Sequence, residues 1–165
     1  MVGPIVLACL TAVFLAALRY GGGPERLLAG LMLLIDVVDH FQHRIFGPAD
    51  FVHLDPGHFT LDSITLVGMM WVALRANRMW PLPACSLQLV SVSGHFAVSA
   101  PLAGLNQAYW AMSIVPGWLQ TALVIVGIFL HAKRNGRFGH YRDWRLGLSA
   151  FSGSLIYPGS ARAAG

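Results

Sequence analysis

Charged side chains are scarce in this chain of 165 residues, of which only 11% are Asp, Glu, Lys or Arg. An ordinary soluble domain carries roughly 25% charged residues, so the composition argues against the soluble class. Hydrophobic residues make up 56% of the chain, and the mean hydropathy is +0.61. Long apolar runs account for this surplus, which places the chain among membrane proteins before any motif is considered.

Cysteine and the common catalytic motifs are also nearly absent. The chain has 2 cysteines, Cys9 and Cys85, and both lie within apolar runs, which disfavours a disulfide framework. There is no Gly-x-Ser-x-Gly elbow, no His-Glu-x-x-His motif and no glycine-rich phosphate loop. The sequence therefore predicts no catalytic residue, and an enzyme is not the favoured interpretation.

The apolar residues fall into five segments, each close to the roughly 20 residues that a helix needs to cross a bilayer. The predicted spans are about 4–19, 24–46, 59–76, 81–100 and 108–132. We therefore expect an all-α, polytopic transmembrane bundle of about five helices. Residues 1–132 form the transmembrane domain in this prediction, and residues 133–165 form a basic cytoplasmic tail.

The positions of the basic residues predict how the bundle is oriented. With five spans, the first loop, the third loop and the tail share one side of the membrane. Most of the positive charge lies there, including Arg19, Arg26, Arg75 and Arg78. Basic residues mark the cytoplasmic side, so we expect a bacterial inner-membrane protein with its N-terminus out and its C-terminus in. The predicted partner of the basic tail is the anionic lipid bilayer, and no nucleic acid is expected.

A stripe of polar side chains interrupts the second apolar segment in the stretch IDVVDHFQHR, residues 35–44. Asp36, Asp39, His40 and His43 follow the i, i+3, i+4, i+7 spacing of one helical face. At about 1.5 Å per residue from the start of the span, the stripe runs from about 18 Å to about 28 Å, in the outer half of the membrane. Carboxylates at this depth are costly unless they pair, protonate or meet water.

Other segments bring polar residues to the same outer side, which predicts one cluster built from several helices. Imidazole and carboxylate groups together suit divalent transition metals such as zinc, iron or copper. We therefore predict a metal site in the outer half of the bundle. Its core candidates are Asp36, Asp39, His40, His43 and His95, and its secondary candidates are His53, His58 and Asp62.

Several alternatives to a metal site remain open from the sequence. The same residues could bond only to one another and hold helices together, with Asp36 near His40 and Asp39 near His43. A b-type haem between the stripe and His95 is less favoured, because carboxylates do not suit an apolar porphyrin face. A proton or ion pathway and a metal-assisted membrane hydrolase also fit. A non-catalytic accessory or assembly subunit, bound to other membrane subunits of a larger complex, fits the small size.

One stretch, residues 61–95, carries a wider pattern. An Asp opens a helix, an Ala-Leu-Arg triplet and a basic-x-Trp-Pro-Leu turn follow, and the next helix holds a Gln and then a His. Here these positions are Asp62, Ala73, Leu74, Arg75, Arg78, Trp80, Pro81, Leu82, Gln88 and His95. The stretch resembles a family of small, uncharacterised polytopic inner-membrane proteins of alphaproteobacteria. The resemblance implies an inner-membrane location and no activity, and it does not include the 35–44 stripe.

Overall fold

A computed structural model describes residues 3–47, 55–97, 105–139 and 142–144 of the chain. Within these ranges the protein is all-helical, as predicted, and its one piece of extended pairing is an isolated bridge between Ala76 and Trp144. The helices are α1 (Gly3–Tyr20), α2 (Gly23–Phe46), α3 (Pro56–Arg75), α4 (Pro81–Ala97) and α5 (Leu105–Phe138).

Three of these helices contain a stretch long and apolar enough to cross a membrane, namely Gly3–Tyr20, Pro56–Arg75 and Trp110–Arg137. Helix α2 has the length but carries several charged residues, and α4 has 17 residues within the described part of the chain. Helix α5 continues past the predicted span end at residue 132. No proline interrupts it there, and it ends before Gly139, whose φ of 72° suits a glycine at a helix end.

The helices pack in a ring that follows the order of the chain. Each helix contacts the next one, α5 returns to contact α1, and α5 also touches α2 across the bundle. Ala17, Leu28, Met69 and Val124 are fully buried where α1, α2, α3 and α5 meet. Large apolar side chains elsewhere face outward, Phe129 among them at 62% exposure. An apolar exterior around a packed centre is what a helix bundle surrounded by lipid requires.

The turn between α1 and α2 is built from glycines because another part of the chain lies directly against it. A Cβ atom on Gly22 would lie 2.5 Å from Oδ1 of Asp143, and one on Gly23 would lie 2.9 Å from Nε1 of Trp144. The backbone N–H of Gly23 donates to Oδ2 of Asp143 at 2.8 Å. The short segment after α5 is therefore held against the start of α2.

A buried arginine joins the helix ends on this side of the bundle. Arg78, in the turn between α3 and α4, is 7% exposed, and its guanidinium donates to the carboxylates of Glu25 and Asp143. It also donates to Nδ1 of His131 at 2.8 Å. Glu25 is completely buried, and its Oε1 accepts from Nε1 of Trp80 at 2.9 Å. We call these five residues the Arg78 cluster, which links α2, the α3–α4 turn, α5 and the segment after it.

Replacing Arg78 by methionine should destabilise the protein strongly, because the buried carboxylate of Glu25 loses its counter-charge. Removing one partner of a buried ion pair costs about 3–5 kcal/mol. We expect a decrease of that size in the free energy of unfolding, measured by titrating the detergent-solubilised protein with SDS. Arg75→Met is the matched control, since Arg75 is exposed and one turn away, and it should change stability by about 1 kcal/mol or less. Equal losses in both variants would contradict the assignment.

Candidate metal centre

Three ligand-type side chains meet at the end of the bundle where α2 finishes and α3 begins. Asp39 and His43 lie one turn apart on α2, and His58 lies in the first turn of α3. Oδ1 of Asp39 is 3.5 Å from Nε2 of His43 and 3.2 Å from Nδ1 of His58. The two imidazoles approach to 2.7 Å between their Nε2 atoms. We call these residues the Asp39 triad. Their ligand atoms all lie within 4.8 Å of one another, so the triad could hold a metal ion.

The local sequence explains why His58 reaches this place. Asp55 caps α3, because its Oδ1 accepts from the backbone N–H groups of Gly57 at 2.8 Å and His58 at 3.3 Å. This cap fixes the first turn of α3 and therefore the direction of His58. Gly57 leaves room for α2 to come close, since a Cβ there would lie 1.6 Å from Nε2 of Gln42.

The hydrogen bonds of the triad determine where its protons lie when both imidazoles are neutral. Nδ1 of His43 is 2.9 Å from the carbonyl oxygen of Gly47, which can only accept, so that nitrogen carries the hydrogen. Nε2 of His43 then has a free lone pair and accepts from Nε2 of His58. Nδ1 of His58 is left without a hydrogen, and it faces the carboxylate of Asp39 at 3.2 Å. Two acceptors that face each other require a positive charge between them.

The carboxylate of Asp39 shows the same gap from its own side. Its Oδ1 is buried, yet it accepts no hydrogen bond from any residue that the structure describes. A buried carboxylate oxygen normally has a donor, because an unmet one costs about 1–3 kcal/mol. Two ligands of a tetrahedral zinc ion at 2.0–2.1 Å lie about 3.3 Å apart, close to both separations measured from Asp39.

Two further predicted ligands, Asp62 and His95, pair with each other. Nε2 of His95 lies 2.8 Å from Oδ2 of Asp62, and His95 is only 1% exposed. The amide of Gln88 donates to Oδ1 of Asp62 at 2.8 Å, and the amide of Gln120 donates to Gln88 at 2.8 Å. This chain of bonds links α3, α4 and α5, so these polar residues connect helices within the bundle.

The remaining predicted ligands are separated from the triad or lie outside the described residues. Asp36 is on the wall of an internal cavity that Asp39 and His58 also line. His40 points toward the start of α1, where its Nδ1 lies 3.8 Å from a Cβ built on Gly3. At 3.6 residues per turn, His40 is rotated by about 100° from Asp39 around the helix. His53 lies outside the described residues.

The Arg78 cluster is the polar group that the sequence did not predict. From the sequence, Arg78 is only a loop charge and a member of the 61–95 pattern, and no role is predicted for Glu25. The available signal is an acidic residue directly after the Gly-Gly-Gly-Pro turn of an otherwise apolar region. All four carboxylate oxygens of Glu25 and Asp143 have donors from Arg78, Trp80 or backbone N–H groups. With its acceptors filled, the cluster fits a structural role.

No protein-family model, no curated protein and no solved structure matches this chain. Similarity to known proteins therefore assigns neither a family nor an activity to the site. The resemblance of residues 61–95 to an alphaproteobacterial membrane family stays a prediction.

Replacing Gln88 by leucine should weaken the contacts between α3, α4 and α5, because Asp62 and Gln120 would each lose a buried hydrogen bond. We expect the free energy of unfolding to fall by about 1–3 kcal/mol in SDS titrations. Gln107→Leu, at an exposed position on α5, should change it by about 0.5 kcal/mol or less. A Gln88 variant as stable as this control would show that the bonds of Gln88 do not hold the helices together.

Proposed function

We propose that this is a multi-pass inner-membrane protein whose Asp39 triad binds a divalent transition-metal ion, with zinc as the best match. The observation that carries the proposal is the buried oxygen of Asp39, which faces two imidazole nitrogens and accepts no hydrogen bond from a described residue. A cation at this position would satisfy the oxygen of Asp39 together with the Nδ1 lone pair of His58 that faces it. Asp62 and His95 are weaker candidates for metal ligands, because they already form a hydrogen bond with each other.

The donor set favours zinc over other cations. Two imidazoles and one carboxylate suit zinc and neighbouring transition metals, whereas calcium and magnesium prefer sites made of oxygen alone. The bond from Nδ1 of His43 to the carbonyl of Gly47 leaves Nε2 deprotonated for the metal, as in many zinc sites. Three protein ligands leave a fourth position open. The triad is about a quarter exposed, so an external ion or ligand can reach it.

The proposed orientation has five spans, an outer N-terminus and an inner C-terminus, which puts the triad in the outer half. The Arg78 cluster supports this arrangement. It brings the α1–α2 turn, the α3–α4 turn and the segment after α5 to one end of the bundle. These are the parts whose basic residues predict the cytoplasmic side. The triad lies at the junction of α2 and α3, where those helices end and begin on the other side.

Metal binding to purified protein tests this proposal. We expect detergent-solubilised protein, stripped with a chelator and dialysed, to bind about one equivalent of Zn²⁺. Co²⁺ in its place should give the visible absorption bands of a tetrahedral site. His43→Ala and His58→Ala should each weaken binding at least tenfold, because each removes a ligand. Metal analysis and calorimetry give the stoichiometry and affinity.

His40→Ala is the matched control, because His40 is on the same helix but faces α1. It should bind the ion like the unaltered protein. Metal content at background, or equal losses in the His40 and His43 variants, would leave the triad as a set of helix–helix contacts. A Soret band in the purified protein would support the haem alternative instead.

A further inference from the structure

A cavity of about 350 Å³ lies between the helices, next to the Asp39 triad. All five helices contribute to its walls. One part of the lining is apolar and includes Val6, Leu10, Met32, Ile35 and Ile114. The rest is polar. The volume lies within the range of small-molecule sites, and about ten waters would be needed to fill it.

Three buried hydroxyl groups of the cavity wall, those of Thr65, Ser91 and Thr121, present only acceptors to its interior. Thr65 donates to the carbonyl of Leu61 at 2.8 Å, and Thr121 donates to that of Gly117 at 2.8 Å. Ser91 donates to the carbonyl of Met112 at 3.3 Å. These three hydroxyl residues are 3–7% exposed. Because each hydroxyl has one hydrogen, which the backbone already takes, only oxygen lone pairs remain for a ligand.

The amide and carboxylate groups extend the same pattern. Gln120, 3% exposed, donates from Nε2 to Gln88 and to the carbonyl of Ala84. Its Oε1 accepts no hydrogen bond from any residue in the described part of the chain. Asp36 also lines the cavity, and its charged neighbours are Asp39 and His40. These side chains therefore offer unfilled acceptors to the cavity.

We propose that this cavity binds a small organic cation, a primary ammonium group carried on an apolar body. The ammonium group has three donors and a positive charge, which match the unfilled oxygens and the carboxylate of Asp36. The apolar body packs against the apolar wall, where Trp118 adds an aromatic ring. A hydrated metal ion gains nothing from that wall, and an anion would meet acceptors and carboxylates. The site depends on Asp36 and the buried oxygens, so it goes beyond the metal site of the triad.

Calorimetry with three probes of similar size tests this proposal on chelator-treated protein in detergent micelles, with protein-free micelles as blanks. The probes are phenethylamine, neutral 2-phenylethanol and anionic 3-phenylpropanoate. We expect the amine to bind at least tenfold more tightly than the alcohol, and the anion to show no saturable binding. Alcohol binding as tight as amine binding would overturn the proposal, as would failure of all three probes to bind.

Three substitutions locate the amine. Asp36→Asn keeps the shape of the side chain and removes its charge, so it should weaken phenethylamine about tenfold and leave the alcohol unchanged. Thr65→Val should weaken the amine about threefold. Thr60→Val is its matched control, since Thr60 is exposed on the same helix and also donates to the carbonyl four residues back. Unchanged amine affinity in the Asp36 variant would overturn the assignment.

The His43→Ala variant separates this proposal from the metal site, because His43 is absent from the cavity wall. It should lose Zn²⁺ and keep the amine. If the unaltered protein binds the amine but no stoichiometric metal, only the metal proposal is overturned. If it binds the metal but not the amine, only the cavity proposal is overturned.

Discussion

The buried guanidinium of Arg78 is the constraint on which the arrangement of the helices depends. A charge at this depth is stable only beside opposite charges. Its carboxylate partners are far away along the chain, Glu25 at the start of α2 and Asp143 beyond α5. Neutralising the charge of Arg78 therefore brings together the α1–α2 turn, the α3–α4 turn and the end of α5. The glycines of the α1–α2 turn follow from it, because the segment carrying Asp143 leaves no room for a side chain.

The two polar ends of the bundle use the same residue types and differ in how fully they are satisfied. At the Arg78 end every carboxylate oxygen of Glu25 and Asp143 has a donor. At the other end the buried oxygen of Asp39 accepts no hydrogen bond from a described residue, and an imidazole lone pair faces it. Polar groups whose hydrogen bonds are all formed stabilise a fold, whereas buried acceptors without a donor favour the binding of a ligand. This contrast is why we propose chemistry for the Asp39 triad and a structural role for the Arg78 cluster.

The ligand types of the Asp39 triad were predictable from the sequence, but its members were predictable only in part. The depth of Asp39 and His43 along α2 correctly predicted that they lie near residues of other helices, and the structure places Asp39 beside His58 of α3. The i, i+3, i+4, i+7 spacing covers a broad face of α2, so the sequence groups His40 with Asp39 and His43, although His40 faces α1. His58 ranked as secondary because a histidine near a loop is often merely solvated. The cap by Asp55 turns His58 inward. A helix cap acts through the backbone geometry of the first turn, which cannot be derived from the spacing of residues in the sequence.

The sequence by itself determined the all-helical class and the presence of segments long and apolar enough to cross a membrane, because the length and apolarity of a segment are properties of that segment alone. It also determined that acids and histidines collect toward one end. Only the tertiary structure decided which of them meet. The pairing of Arg78 with Glu25 and Asp143, of His95 with Asp62, and of His58 with Asp39 each joins parts of the chain separated in sequence. Such contacts depend on how neighbouring helices rotate and approach, and packing between helices sets both.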